Sequence, residues 1–212
     1  PPNLADPAER QLLDEAITEN EPLNLEIDAT LDEVLEDEEA ILASNNSSIP
    51  ITRLAKATNR PESVVGLHFF NPVPVMGLVE LISTVLSSPA IEARAEKFAY
   101  DQLEKTVIHA KDRAGFIVNM LLVPYLLEAI RLYENGVATA EDIDTGMRLG
   151  ANHPMGPLTL ADFVGLDTCK AVADVLYEEF KQPQYAPPPL LVRMVEAGLL
   201  GRKSGRGFYE YQ

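Results

Sequence analysis

The stretch that decides the reading is GLHFFNPVPVMGLVE, residues 66–80. It consists of two short apolar runs around a turn that carries Pro72 and Pro74. Proline fixes φ and removes a backbone donor, so no strand continues through residues 71–74. The chain has to bend there, and the flanking runs then return side by side. His68 sits at the end of the first run and Glu80 in the second, so the bend brings them within reach of each other. A carboxylate next to an imidazole orients the ring and favours its charged form, which is what a general base needs. The competing reading of such a pair is a core histidine and a surface glutamate on neighbouring strands.

Outward from this corner, strand-like and helix-like segments alternate. Residues 22–35 place Leu23, Ile27, Leu31 and Val34 at helical spacing with acids on the other face, which predicts an amphipathic helix. Residues 40–44 read as a short strand, and Pro50 opens a helix over 51–58 that Ser48 is placed to cap. Strands follow at 63–68 and 78–84, a helix at 89–103 and a strand at 106–110. Residues 11–18 are a further, weaker strand candidate. This alternation predicts a parallel-type α/β sheet.

After residue 110 the pattern becomes helical. Residues 113–135 form one long apolar segment with Pro124 as the expected kink, and 140–149, 166–180 and 188–198 read as further helices. The expected organisation is an α/β part over 1–110 and an all-α part over 111–212. A helix as apolar as 113–135 has to be covered by other helices or by a second subunit.

Composition bounds the function. The net charge of −16 argues against nucleic acid or an anionic membrane surface as partner. Most of it lies in residues 1–40, which hold 14 acids and a single Arg10; such a run is usually a solvated face. The single Cys169 excludes an intramolecular disulfide and points to an intracellular setting. The longest apolar run, 116–127, is interrupted by Asn119 and Pro124 and is too short to span a bilayer.

The motifs also resemble a known family. HFFNPVP is preceded by ASNNSS (residues 43–48) and followed by KDRAGFIVN (111–119), HPMGP (153–157) and GRKSGRGFYEY (201–211). Together they resemble the 3-hydroxyacyl-CoA dehydrogenases, most closely the short-chain 3-hydroxybutyryl-CoA type. The resemblance runs from about Asn3 to Tyr211. It implies a Rossmann-like NAD-binding part followed by a helical C-terminal domain. It also implies hydride transfer between C3 of a short-chain acyl-CoA and NAD, within fatty-acid β-oxidation or butyrate metabolism. A cytoplasmic homodimer joined through the helical part is the implied assembly.

By motif, His68 is the general base, Glu80 its orienting carboxylate, and Ser47 and Asn119 hydrogen-bond the substrate oxygen. Glu19, Asn45, Ser47, Asn71 and Lys203 are the implied cofactor contacts. His109 and His153 read as structural. Four positions depart from the family's usual residues: Asn24 (commonly lysine), Asn46 (threonine), Gly77 (often lysine) and Met120 (often arginine).

One signature is absent. A dinucleotide site normally carries G-x-G-x-x-G at its first strand–helix turn, and this chain has none. Its only glycine-rich stretch, residues 201–207, follows a helix near the C-terminus. In the resembled family the fingerprint lies upstream of the region matched by Asn3. The expectation is therefore a chain lacking the front of the nucleotide-binding domain, with an unpaired sheet edge as one consequence. Weak turnover by this chain alone is another. Two readings follow: a dehydrogenase, or a non-catalytic family member that associates through its helices and lacks a working cofactor site.

Overall fold

A computed structural model describes residues 21–37, 39–47 and 49–211. The strand candidate at 11–18, the contact expected of Glu19 and the cap expected of Ser48 lie outside them. Two compact units are present, Pro1–Ile117 and Val118–Gln212.

In the first unit, helix α1 (Glu21–Val34) precedes strand β1 (Leu42–Ser44), helix α2 (Ile51–Ala55) and strand β2 (Val64–Phe69). Strand β3 (Leu78–Ser83), helix α3 (Pro89–Asp101) and strand β4 (Thr106–Lys111) complete it. The four strands lie in sequence order in one sheet. The sheet is mixed: β1 and β2 are parallel, β2 and β3 antiparallel, β3 and β4 parallel. The prolines are the reason the expected parallel sheet is interrupted, because they turn β2 directly back into β3; the Asn71–Pro72 peptide in this turn is cis.

Both faces of the sheet are covered, as strands buried on two sides require. On one face Val64 and Ile82 join Ile51, Leu54, Ala55 and Phe116 in an apolar cluster. On the other, Val65, Leu67, Val79 and Leu81 pack on Ile91, Ala95 and Ala99 of α3. Side chains alternate along a strand, so His68 and Glu80 share the α2 face. Gly66 allows that packing, since a Cβ there would stand 2.9 Å from Ile82 Cβ.

Helix α1 departs from expectation. Its apolar stripe is partly exposed, Leu31 at 40% and Val34 at 65%, while Asn24 and Asp32 are its buried residues. Specific polar contacts take the place of apolar burial. Asp32 accepts from the Asn59 N–H at 2.6 Å and from Arg60 Nε at 2.6 Å. Those bonds, chiefly the Asn59 N–H, hold its carboxyl below the usual range despite burial. The acidic opening is thus not wholly a solvated face.

The second unit is helical. It contains α4 (Val118–Glu134), α5 (Ala140–Thr145), α6 (Pro157–Val164), α7 (Leu166–Phe180) and α8 (Pro189–Glu196). A π-turn, Gly146–Gly150, follows α5. Helix α6 is not expected from the sequence. Pro157 sits at its first turn, and Asp144 from α5 accepts the N–H groups of Leu158 (2.7 Å) and Thr159 (2.9 Å). Among the described residues no helix is long and apolar enough to cross a membrane.

Burial pushes the Asp28 carboxyl on α1 from 3.8 up to about 6. The charged form therefore costs stability above pH 6, and the cost vanishes below the unfolded value. Asp28→Asn is expected to stabilise the first unit at pH 8 by about 1 kcal/mol, allowing for the carboxyl's partial exposure. The gain should disappear by pH 4, as read from urea denaturation at both pH values. An equal gain at both would show that the carboxylate is not the cause.

Candidate active site

The corner at residues 66–80 folds as its prolines dictate, and β2 and β3 pair with His68 directly opposite Glu80. Their side chains meet, with His68 Nδ1 2.6 Å from Glu80 Oε2. An ionised carboxylate only accepts, so Nδ1 carries the proton and donates it. Nε2 is then left as the nitrogen that takes up a proton. Glu80 is fully buried, and the His68 side chain is 8% exposed. The second Glu80 oxygen, Oε1, accepts from the Ile117 N–H at 3.0 Å. A buried carboxylate needs such partners to offset its desolvation.

The donor at Ile117 exists because the long helix expected from residue 113 starts only at Val118. Residues 112–117 form turns instead. Gly115 has φ 73° and Phe116 φ 45°, values an α-helix cannot hold. The break turns the Ile117 N–H onto Glu80 and lays the Phe116 ring 5.3 Å from the His68 ring. Phe70 approaches the imidazole edge-on at 4.8 Å. Two aromatic rings and a carboxylate thus fix the plane of His68. Sequence reasoning misses Phe70, Phe116 and Ile117; Gly115 is the one local signal that points to them.

The loop after β1 carries the next candidates. Asn45 is exposed, and its Oδ1 accepts from the Phe69 N–H at 2.8 Å, one residue beyond His68. Ser47 is half-buried in the same loop. Asn71 is exposed in the loop after β2. These loops leave the carboxyl ends of parallel neighbours β1 and β2, the edge at which open α/β sheets bind ligands. The helix after the first loop, α2, is capped through space: Asp112 accepts the N–H groups of Ile51 and Thr52, each at 2.8 Å.

The first unit therefore holds His68, Glu80, Asn45, Ser47 and Asn71; Glu80 meets His68 directly and Asn45 binds the backbone of the next residue, Phe69. Asn119 and Lys203 belong to the second unit. Asn119 is half-buried in the first turn of α4. Lys203 Nζ lies 2.5 Å from Asp167 Oδ1 at the start of α7. Burial raises the Asp167 carboxyl, but its bond to Lys203 and nearby backbone N–H groups leave it below the usual range. The glycines around Lys203 serve close packing: a Cβ on Gly201 or Gly207 would overlap Asp162.

The other reactive groups are accounted for within their own units. His109 on β4 is exposed and 3.4 Å from Glu96. His153 is exposed, with Nδ1 3.0 Å from the Tyr125 hydroxyl. Burial, reinforced by Asp167 and Asp162, pushes the Cys169 thiol up to about 12, so it is no nucleophile. No group of three or more metal-ligating side chains occurs among the described residues.

The chain is similar to known proteins over nearly its whole length. The family model described as 3-hydroxyacyl-CoA dehydrogenase, NAD binding domain, matches residues 2–113. The model described as 3-hydroxyacyl-CoA dehydrogenase, C-terminal domain, matches residues 115–211. A protein named 3-hydroxybutyryl-CoA dehydrogenase from Mycobacterium tuberculosis is 58% identical over 209 residues, spanning 99% of this chain and 73% of that protein. The crystal structure of M. tuberculosis FadB2 superposes with a TM-score of 0.91 at 53% identity, covering 98% of this chain and 79% of that one. The structure of (S)-3-hydroxybutyryl-CoA dehydrogenase PaaH1 from Ralstonia eutropha gives a TM-score of 0.88 at 50% identity, covering 92% and 68%.

Removing the Glu80 carboxylate leaves the buried Nδ1–H of His68 and the N–H of Ile117 without their acceptor. Glu80→Ala is therefore expected to lower the stability of the first unit by about 3 kcal/mol, measured by chemical denaturation. A loss below about 0.5 kcal/mol, the size of an exposed pair's contribution, would mean that water replaces the carboxylate.

Proposed function

Because the chain belongs to the 3-hydroxyacyl-CoA dehydrogenase family, we propose that it acts as an NAD-dependent 3-hydroxybutyryl-CoA dehydrogenase. The observation that carries this reading is the buried contact of 2.6 Å between His68 and Glu80, the two residues to which the motif resemblance assigns the base and its carboxylate.

In the oxidation direction the C3 hydroxyl of the substrate donates to Nε2 of His68. The imidazole takes that proton as the C3–H hydride departs, so the alcohol loses one proton and one hydride and becomes a ketone. Glu80 holds the ring in the productive tautomer and stabilises the imidazolium that forms. Ser47 and Asn119 keep the role their motifs imply, donating hydrogen bonds to the substrate oxygen. NAD, when bound, supplies the hydride acceptor. Asn45, Ser47 and Asn71 fit its nicotinamide side, because their loops leave the carboxyl ends of β1 and β2. Glu19 and Lys203 are proposed as further contacts on motif alone.

The setting is proposed to be cytoplasmic, in keeping with a lone, buried Cys169. Fatty-acid β-oxidation or butyrate metabolism is the proposed context. A homodimer through the helical unit is proposed on the family resemblance; Leu121 on α4 and Leu149, 72% and 79% exposed, are apolar side chains that such an association would cover.

NADH oxidation with acetoacetyl-CoA as substrate tests the reading. His68→Ala is expected to lower kcat by about 10²–10⁴-fold, the usual contribution of a general acid–base, with circular dichroism unchanged. Folded wild-type protein that neither binds NADH nor turns over would favour the non-catalytic reading. Turnover insensitive to His68→Ala would remove the base from the mechanism.

A further inference from the structure

Helix α1 buries amide and carboxylate side chains where a helix on a sheet normally buries apolar ones. Asn24 and Asp32 lie eight residues apart, which places them on one helix face, and they are 5% and 6% exposed. Burying polar groups costs stability unless they are hydrogen-bonded. Asp32 meets that cost by gripping Asn59 and Arg60, which fixes the C-terminal half of α1. Asn24 lies two turns away. Its Oδ1 accepts from Nδ2 of Asn46, at 3.3 Å, in the loop after β1.

Asn46 is itself 6% exposed and also donates, from Nδ2, to the Ser44 hydroxyl at 2.5 Å. Its backbone N–H reaches the same hydroxyl at 3.4 Å. One side-chain amide thus ties the end of β1 to α1. Its neighbours in the chain are the residues assigned to the reaction. Asn45 bonds the Phe69 N–H beside His68, and Ser47 follows Asn46 directly. The loop is held at two adjacent residues, by Asn45 toward the histidine strand and by Asn46 toward α1.

We infer that Asn24 is a positioning residue. Acting through Asn46, it sets where the loop presents Asn45 and Ser47 relative to His68. The inference rests on the dehydrogenase reading for its catalytic consequence and on the hydrogen-bond network alone for its structural one. A neutral amide suits this role because it donates and accepts without bringing a charge to a position that is almost fully buried.

Two readouts test it. In NADH-dependent reduction of acetoacetyl-CoA, with rates expressed per NADH site titrated by fluorescence, Asn24→Ala and Asn46→Ala should each lower kcat about tenfold. A displacement of about 1 Å in a positioning group has effects of at least that size. KM should change by less than about twofold. The double variant should be no slower than the slower single one, as residues acting through one contact are not additive. Asn24→Leu replaces Asn24→Ala should the latter not fold. Independently of activity, hydrogen exchange at the Phe69 amide should accelerate about tenfold in Asn24→Ala or Asn24→Leu. Wild-type kcat per site together with unchanged Phe69 exchange overturns the inference, as do multiplicative losses in the double variant. Failure of the dehydrogenase reading shows separately, as turnover insensitive to His68→Ala, and the exchange measurement then decides the positioning role by itself.

Discussion

The molecule's chemistry depends on the register that sets His68 opposite Glu80 in an antiparallel strand pair. Directly opposed side chains have Cβ atoms about 4.5–5.5 Å apart, close enough for an imidazole and a carboxylate to meet. A slip of one residue would send Glu80 to the other face of the sheet. There it would enter the cluster formed by Val65, Leu67, Val79 and Leu81, with no donor in place. The apolar residues and the buried carboxylate thus favour the same register, and each penalises the alternative. A catalytic pair built this way is held by the fold itself and not by a loop.

Some of this is legible in the sequence and some is not, for physical reasons. Prolines and alternating apolar residues are local signals, so the corner, its two strands and the pairing of His68 with Glu80 can be read directly. The break before α4 cannot. It depends on a non-glycine residue, Phe116, held at positive φ, and periodicity through residues 113–135 hides it. Yet that break supplies the second donor to Glu80 and a ring beside His68. Helix α6 escapes for a related reason: it has eight residues, too few for a periodic signal, and its first turn is fixed through space by Asp144. Helix α1 has the extent its periodicity predicts but buries a different face. A pattern of polar residues does not say which amide will find a partner 22 positions away.

The glycine-rich stretch near the C-terminus shows the same limit from the other side. As sequence it follows a helix instead of opening one, so it does not read as a dinucleotide fingerprint, and nothing local says what its glycines approach. In the structure the anion they approach is the chain's own Asp162, a fully buried carboxylate. It accepts from the N–H groups of Phe208 at 2.9 Å and Tyr209 at 3.0 Å. The glycines thus serve close approach to a carboxylate of the same chain.

Buried carboxylates recur throughout this acidic chain, and their partners separate structure from chemistry. Asp32 is held by Asn59 and by Arg60, whose guanidinium does not give up its proton. Asp144 and Asp162 accept from backbone N–H groups and from the hydroxyls of Tyr209 and Tyr211. Burial, together with those carboxylates, pushes both phenols well above their ordinary range, so these donors also stay protonated. Such bonds cross-link elements. Of these four carboxylates, only Glu80 has as its side-chain partner an imidazole, the one side chain that exchanges a proton readily near pH 7. The feature that marks the corner as a site is accordingly not the burial of its carboxylate, which it shares with three structural anchors, but a partner able to change charge while the carboxylate stays in place.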